Sequence, residues 1–389
     1  MHAPTPRTQA DTTGRGANAR DMADRQANSE TGKTYLTLHE LARAAREKLS
    51  IENWDYLVGG TETETTLLRN RQALDAIALQ PRVLRDVSHI DTSGRLFGRP
   101  MRLPVLLAPV GGIASFDPGG AATAAQAAAE FGVPIMVSSV SKPGLEPTAA
   151  AAATGRKLFQ LYVRGDEAWT DDKVRRAKAA GYEAFCFTVD SAIYSRRERD
   201  LDRRVIKRTL ADVEEELFQA GLTWDHIKRY KDCHDLPLIL KGIATPEDAD
   251  LACRHGVAAV YVSNHGGRQL DHGLGAIHVL PDIVAAVAGR AEVIVDSGFI
   301  RGTDIIKALA LGADAVGIGR AYVYGLAAAG RVGVVRVLEL LEAEIWTSLG
   351  LLGVTRFAEL DKSYLRKATP ALMPGLTSAL PLLDLDRKA

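Results

Sequence analysis

The sequence predicts an α/β fold, a closed TIM (β/α)8 barrel with an N-terminal helical extension, and three observations predict it. Short apolar, β-branched runs recur eight times. Ala-rich stretches with apolar residues at helical spacing separate them, and nearly every run ends on polar or ionisable residues. Strands alternating with helices pair in parallel, and eight of them close into a barrel whose active face lies at their carboxyl ends. An open doubly wound sheet is the competing architecture. It requires a G-x-G-x-x-G turn after the first strand, which APVGGIAS at 108–115 does not supply.

Taken in order, residues 1–35 hold almost no large apolar side chains, a composition that reads as a disordered tail. A helical entry region follows from Leu36. Strands are expected at 103–109, 134–138, 157–163, 184–190, 238–242, 258–264, 292–296 and 315–319, with helices between them at 119–131, 166–180, 246–255 and 303–311. The barrel domain is assigned to 36–368, leaving 369–389 as a C-terminal tail rich in Leu and Pro. Between the fourth and fifth strands lies a charge run from Arg196 through Arg199 to Arg204. Such a run is ordinarily a solvated face, but its place at the active end of a barrel makes it a candidate lid.

Composition narrows the function classes. The 389 residues carry 48 basic and 48 acidic side chains, so no electrostatic footprint for nucleic acid or an anionic membrane surface is visible. Cys186, Cys233 and Cys253 are an odd count without a C-x-x-C pair, which suggests neither a disulfide framework nor a zinc site and fits a reducing cytoplasm. No apolar run approaches the roughly 20 residues of a spanning helix. A cytoplasmic protein with a small-molecule substrate and no metal is therefore expected.

Under the barrel reading, Ser138, Gln160 with Tyr162, Thr188 with Asp190, Lys241, Ser263 with His265, Asp296 and Arg320 all fall at strand carboxyl ends and converge on one pocket. Each has a bland reading alone: Thr188 and Ser138 as partners of the backbone, Lys241 as a solvent-reaching side chain. Together they are costly to bury unless they serve a ligand or one another. Asp296-Ser297-Gly298 after the seventh strand and Gly317-Ile318-Gly319-Arg320 after the eighth read as a phosphate site, where backbone N–H groups approach an anion closely. The strongest local signal is SNHGGRQLD, 263–271. It presents an imidazole, His265, and a guanidinium, Arg268, on one tight turn, a base beside a carboxylate clamp.

At these residues the sequence resembles the FMN-dependent 2-hydroxy-acid oxidase and dehydrogenase family, which includes glycolate oxidase, lactate oxidase and mandelate dehydrogenase. The resemblance runs from about residue 37 to 363 and rests on SNHGGRQLD, supported in order by WDYLVGG, QPRVLRDV, FQLYV, TVD, LKGI and KALALGADAVGIGR. It implies FMN as cofactor and oxidation of an L-2-hydroxy acid to the 2-oxo acid, with His265 as catalytic base, Asp190 as the carboxylate that orients it and Lys241 as the cation beside the flavin. Pro109, Val110, Gly111, Ser138, Gln160, Thr188, Ser263, Asp296, Ser297, Gly298, Arg301, Gly319 and Arg320 are implied in flavin binding. Tyr56, Tyr162, Arg197 and Arg268 are implied in substrate binding, Arg197 being chosen over Arg196 by its spacing from Asp190. A homotetramer is implied as well.

Departures from the family pattern carry their own expectations. Ile300 stands where relatives carry an arginine, which leaves one phosphate contact to Arg301 or Arg320. Val140 replaces a tryptophan and Gly111 an alanine of glycolate oxidase-like members, so a substrate side chain bulkier than that of glycolate is expected, with Tyr194 refilling part of the space. The stretch 190–241 is shorter than usual, a trimmed lid. Abstraction of the hydroxyl proton with hydride transfer, and abstraction of the Cα proton, both remain open. A flavin-dependent isomerase and a non-catalytic flavin protein are the competing functions.

Overall fold

The computed structural model describes residues 18, 21, 35–205 and 210–383, so the expected disordered tail over 1–35 lies almost wholly outside the described residues. The entry region is three helices. Helix α1 (Leu38–Lys48) starts at Thr37, whose side chain accepts from the Glu40 N–H, and buries Leu38, Leu41, Ala42 and Ala45 at helical spacing. Helix α2 (Ile51–Val58) is capped by Ser50 in the same way, and α3 (Thr65–Asp75) follows. Strand β1 (Ile77–Leu79) then leads to a hairpin of β2 (Gly94–Leu96) and β3 (Arg99–Met101).

The barrel strands are β4 (Val105–Leu107), β5 (Ile135–Ser138), β6 (Lys157–Leu161), β7 (Ala184–Thr188), β8 (Leu238–Ile243), β9 (Ala259–Val262), β10 (Glu292–Val295) and β11 (Ala315–Ile318). All eight expected strands are present, paired in parallel and closed, with β11 hydrogen-bonded to β4. Most are shorter than expected at the carboxyl end. The chain leaves the ladder before Tyr162, Asp190, His265 and Asp296, and that departure frees Tyr162, His265 and Asp296 for the mouth.

Alternation along each strand builds two cores. Leu106, Met136, Leu158, Ala184, Ile239, Ala259, Ile294 and Ala315 fill the barrel interior, closed at the far end by Leu96 and Met101 of the hairpin. Their neighbours Val105, Leu107, Ile135 and Val137 pack outward against the helices. Those helices are α4 (Gly120–Phe131), α5 (Leu145–Ala151), α6 (Glu167–Ala179), α7 (Glu198–Asp202), α8 (Leu210–Ala220), α9 (Trp224–Cys233), α10 (Pro246–Arg254), α11 (Ala276–Val287), α12 (Gly302–Ala310) and α13 (Arg320–Leu352).

Helix α13 corrects one sequence expectation, because it is long and apolar enough to cross a membrane by length and composition. Some 78% of its most apolar window is buried inside the fold, and the backbone leaves helical angles at Ala329 and Gly330. Its apolar surface is covered by α1, α4 and α12. After it, β12 (Leu365–Lys367) pairs with β1, and the short helix α14 (Leu376–Ala379) packs on α3 with Ala379 and Leu380 buried. The expected C-terminal tail, 369–389, therefore carries a helix docked on the barrel domain.

Candidate functional site

The carboxyl ends of the barrel strands open into a cavity of about 940 Å³, of the size expected for a cofactor and small-substrate site. Its shape begins with the backbone of the SNHGGRQLD turn. His265, Gly266 and Gly267 all have left-handed φ, +61°, +67° and +75°, a conformation a non-glycine residue rarely adopts. A Cβ on Gly267 would lie 2.5 Å from the Leu67 backbone, so close approach requires that glycine, while Gly266, where a Cβ would meet only the Arg320 guanidinium at 2.7 Å, is favoured by its φ. The turn is tied down by Ser297, whose Oγ accepts from the N–H groups of Asn264 and Gly266. Ser263 Oγ accepts from the His265 N–H at 3.0 Å.

The imidazole sits between two partners. His265 Nδ1 lies 3.2 Å from Asp190 Oδ1, and Nε2 lies 3.0 Å from the Tyr162 hydroxyl. An ionised carboxylate only accepts, so Nδ1 carries the hydrogen and donates to Asp190. Nε2 then keeps its lone pair on the cavity side. Burial pushes the His265 pKa below its ordinary value, the Lys241 and Arg197 charges add to this, and Asp190 opposes it. Burial works against ionisation of Asp190, but His265 and Lys241 outweigh it and hold the carboxyl below its usual range. At neutral pH the site therefore holds a neutral imidazole backed by a carboxylate, the form a general base needs.

Lys241, on β8, donates to Ser263 Oγ at 2.8 Å and lies 3.4 Å from Asp296 Oδ2. Burial would discharge the ammonium, but Asp296 and Asp190 reverse that and raise its pKa. It is a fixed positive charge in the cavity floor. Opposite lie two guanidinium groups with atoms left over. Arg268 Nη1 donates to the carbonyls of Tyr56 and Gly59, while among the described residues its buried Nη2 has no partner; nor does the buried Nε of Arg197. Burial, and then the Arg197 charge, pull the Arg268 pKa well below its usual value, the mark of clustered cations awaiting an anion. Both guanidiniums flank the Tyr56 ring, at 4.6 and 5.8 Å. Arg196, by contrast, is exposed and pairs with Glu198.

The flavin-site expectations separate into groups. Pro109, Val110, Gly111, Asp296, Ser297, Gly298, Gly319 and Arg320 line the cavity, as do Tyr56, Tyr162, Arg197, Lys241, His265 and Arg268. Asp190 does not line it and acts through His265. Ser138, Gln160, Thr188 and Ser263 are buried just behind its lining, each bonded to its neighbours. Gln160 Nε2 donates to Thr188 Oγ1, which leaves Gln160 Oε1 buried without a partner. Arg301 is a correction. Its guanidinium is held by Glu344 at 2.6 Å and donates to the Ala379 carbonyl, so it closes the α12–α13 contact instead of facing the cavity. Arg320 remains, donating to the carbonyls of Leu57, Gly266 and Gly59 and paired with no carboxylate among the described residues.

These residues fit FMN. The unpartnered Gln160 Oε1 offers an acceptor, Lys241 a cation, and Gly319, whose missing Cβ would meet nothing within 4 Å, leaves open backbone at the start of α13 for an anion. Among the described residues no cluster of His, Cys, Asp and Glu is arranged to hold a metal ion.

Sequence reasoning missed several contributors. The charge run docks on the entry helices, with Arg199 bound to Glu64 at 2.6 Å and Arg203 to Asp55 at 3.0 Å. Tyr324 lines the cavity with a buried, unpartnered hydroxyl, four residues from Arg320 on one helix face. Gly375, Leu376 and Thr377 reach the rim from the far end of the chain, a closure that no local signal announces.

Comparison with known proteins agrees with this geometry. The family model described as FMN-dependent dehydrogenase matches residues 45–209 and 205–367. An L-lactate oxidase from Nostoc sp. is 38% identical over 85% of this chain and 98% of its own length, and a 4-hydroxymandelate oxidase from Amycolatopsis orientalis is 42% identical over 82% and 95%. A mandelate oxidase variant solved with an FMN adduct superposes with a TM-score of 0.78 at 41% identity, covering 86% of this chain and 100% of that one. The chain belongs to the FMN-dependent dehydrogenase family and is an FMN-dependent oxidoreductase that oxidises 2-hydroxy acids.

Proposed function

We propose that the substrate is an L-2-hydroxy acid with a large, apolar α-substituent, aryl or branched alkyl, and that His265 is the base that takes its proton. The observation that carries this reading is the juxtaposition of His265 Nε2, backed by Asp190, with the spare donors of Arg268 and Arg197 on one cavity. Two guanidiniums, each with a buried nitrogen that finds no partner among the described residues, are complementary to a substrate carboxylate. Holding it there brings the adjacent carbon and its hydroxyl to the imidazole, with the Tyr56 and Tyr162 side chains alongside.

When bound, FMN supplies the acceptor for the two electrons the substrate loses. His265 Nε2 takes either the hydroxyl proton, as hydride leaves Cα, or the Cα proton. The imidazolium that develops is stabilised by Asp190. Lys241, locked by Ser263 and Asp296, provides a positive charge that needs no reorganisation as negative charge builds.

Substrate size follows from Val140, Gly111 and Tyr194, which line the same cavity as His265. A Cβ on Gly111 would lie 2.8 Å from Val140 Cγ2, so an alanine there would press the valine toward its neighbours. The glycine therefore preserves the space that valine opens. The names of the relatives, lactate oxidase and 4-hydroxymandelate oxidase, bracket the size range. Mixing the flavin-loaded protein anaerobically with glycolate, L-lactate, (S)-mandelate and longer-chain acids tests the reading. Fastest bleaching with the aryl or branched acids is expected; preference for glycolate, or no bleaching by any of them, overturns it. A cytoplasmic homotetramer is part of the same proposal, to be tested by light scattering and by cell fractionation.

A further inference from the structure

Gln219 lies in the last turn of α8, on the connection between β7 and β8 that also carries Arg197, and it is only 5% exposed. A long polar side chain in such a place must find partners. It finds two. Gln219 Oε1 accepts from the Val163 N–H at 2.7 Å, and Gln219 Nε2 donates to the Thr188 carbonyl at 2.8 Å.

The position of those two backbone groups gives the contact its meaning. Strands β6 and β7 pair from Leu158 and Ala184 up to Leu161 and Phe187, and the ladder ends there. Val163 and Thr188 lie just past that end, so the Gln219 amide bridges the two chains where the sheet no longer does. Val163 follows Tyr162, whose hydroxyl is 3.0 Å from His265 Nε2. Thr188 precedes by two residues Asp190, whose carboxylate is 3.2 Å from His265 Nδ1. One amide therefore grips the backbone beside both partners of the imidazole. Thr188 is gripped a second time, through Oγ1, by Gln160.

We propose that Gln219 is a positioning residue for the oxidation: by clamping β6 to β7 beyond their ladder it fixes the distances from Tyr162 and Asp190 to the two nitrogens of His265. This rests on His265 being the base. A residue that merely filled space would need neither amide group. One that only docked α8 would not bond two strands through the segments that end on the imidazole's partners. Groups placed by such outer contacts lose rate steeply when they shift, because the reactive geometry is narrow.

The test uses Gln219→Met, which keeps length and volume and deletes both hydrogen bonds, and Gln219→Glu, which keeps an acceptor for the Val163 N–H. Each is purified with FMN bound and mixed anaerobically with the best substrate of the wild type, and the flavin reduction rate is followed against substrate concentration and pH. The rate at saturation is expected to fall about 10- to 100-fold in Q219M, and less in Q219E. The saturating rate should fall more than substrate Kd rises, because Arg197 and Arg268 are untouched. The acid limb of the pH profile should move to lower pH as Asp190 loosens and leaves burial, Lys241 and Arg197 to depress the imidazole, with Tyr162 still at Nε2. A wild-type rate and pH profile in either flavin-loaded variant overturns the proposal, as does a loss that appears only in Kd. If Q219M does not retain flavin, Q219E decides by the same criteria. His265→Gln, assayed in parallel, separates the two readings: retained bleaching there removes His265 as base, whereas its loss beside an unaltered Q219M removes only the role of Gln219.

Discussion

Replacing Asp190 by Asn tests the electrostatic core of the site, because it removes a charge while nearly preserving shape. Asp190 Oδ1 lies 3.2 Å from His265 Nδ1 and also accepts from the Ser191 hydroxyl. An asparagine keeps an oxygen for both donors, so the main loss is attraction between the carboxylate and the imidazolium that forms as the proton is taken. At 3.2 Å and an effective dielectric constant of about 20, that attraction is about 5 kcal/mol. This corresponds to a drop of roughly 10³- to 10⁴-fold in the rate of flavin reduction. The pH profile carries an independent sign. The wild-type rate should rise through a pKa below the ordinary 6.5 of histidine, since burial depresses it and only Asp190 opposes. Without Asp190 the pKa falls further, so the acid limb moves to lower pH even as the plateau drops. Anaerobic stopped-flow bleaching at saturating substrate from about pH 5 to 9 reads both effects. A loss under about tenfold, or an acid limb that moves upward, would refute the reasoning.

Three further outcomes follow from the same geometry. Arg268→Ala removes a buried donor awaiting the substrate carboxylate and should raise KM by about 30-fold or more, read by steady-state kinetics; an unchanged KM would remove Arg268 from the clamp. Gly111→Ala places a methyl 2.8 Å from Val140 Cγ2, so activity toward mandelate-sized acids should fall more than activity toward lactate, with equal losses counting against a shared side-chain compartment. Asp304 is fully buried and paired with Arg71 at 2.7 Å, so Asp304→Asn should cost about 3–5 kcal/mol in urea unfolding. Although burial works against it, Arg71 holds the Asp304 carboxyl below its ordinary pKa. Its contribution is therefore present above the ordinary carboxylate range and lost as pH falls through the folded value, and the variant should lose that share of acid sensitivity.

The barrel was legible because its signals are local and repeated. The eight strands are short apolar runs, most of them with β-branched residues, and four of the intervening helices show by spacing, so alternation pointed to parallel closure. The catalytic turn was legible for a different reason: His265, Gly266, Gly267 and Arg268 are contiguous, and the backbone that brings them together is encoded by the two glycines themselves. Arg197 lines the cavity while Arg196 is exposed, a difference that spacing does not report. What escaped the sequence was contact between distant segments. Arg301 has the charge for a phosphate, yet Glu344, 43 residues on, satisfies it first. The run from Arg196 to Arg204 is largely exposed, as a solvated face should be, yet Arg199 and Arg203 pair with Glu64 and Asp55 of the entry region, which spacing does not report. Gln219 and Tyr324 sit inside helices of ordinary composition, and only the fold shows what faces them.

The most direct test of the central claim is the His265→Gln variant, isolated with FMN bound and mixed anaerobically with the best 2-hydroxy acid of the wild type. Glutamine preserves polarity and approximate size but cannot take the proton. With Arg197, Arg268 and Lys241 intact, flavin content and substrate binding should persist. The account predicts a yellow protein that substrate does not bleach on the timescale of wild-type turnover. Bleaching at a rate near that of the wild type would contradict it.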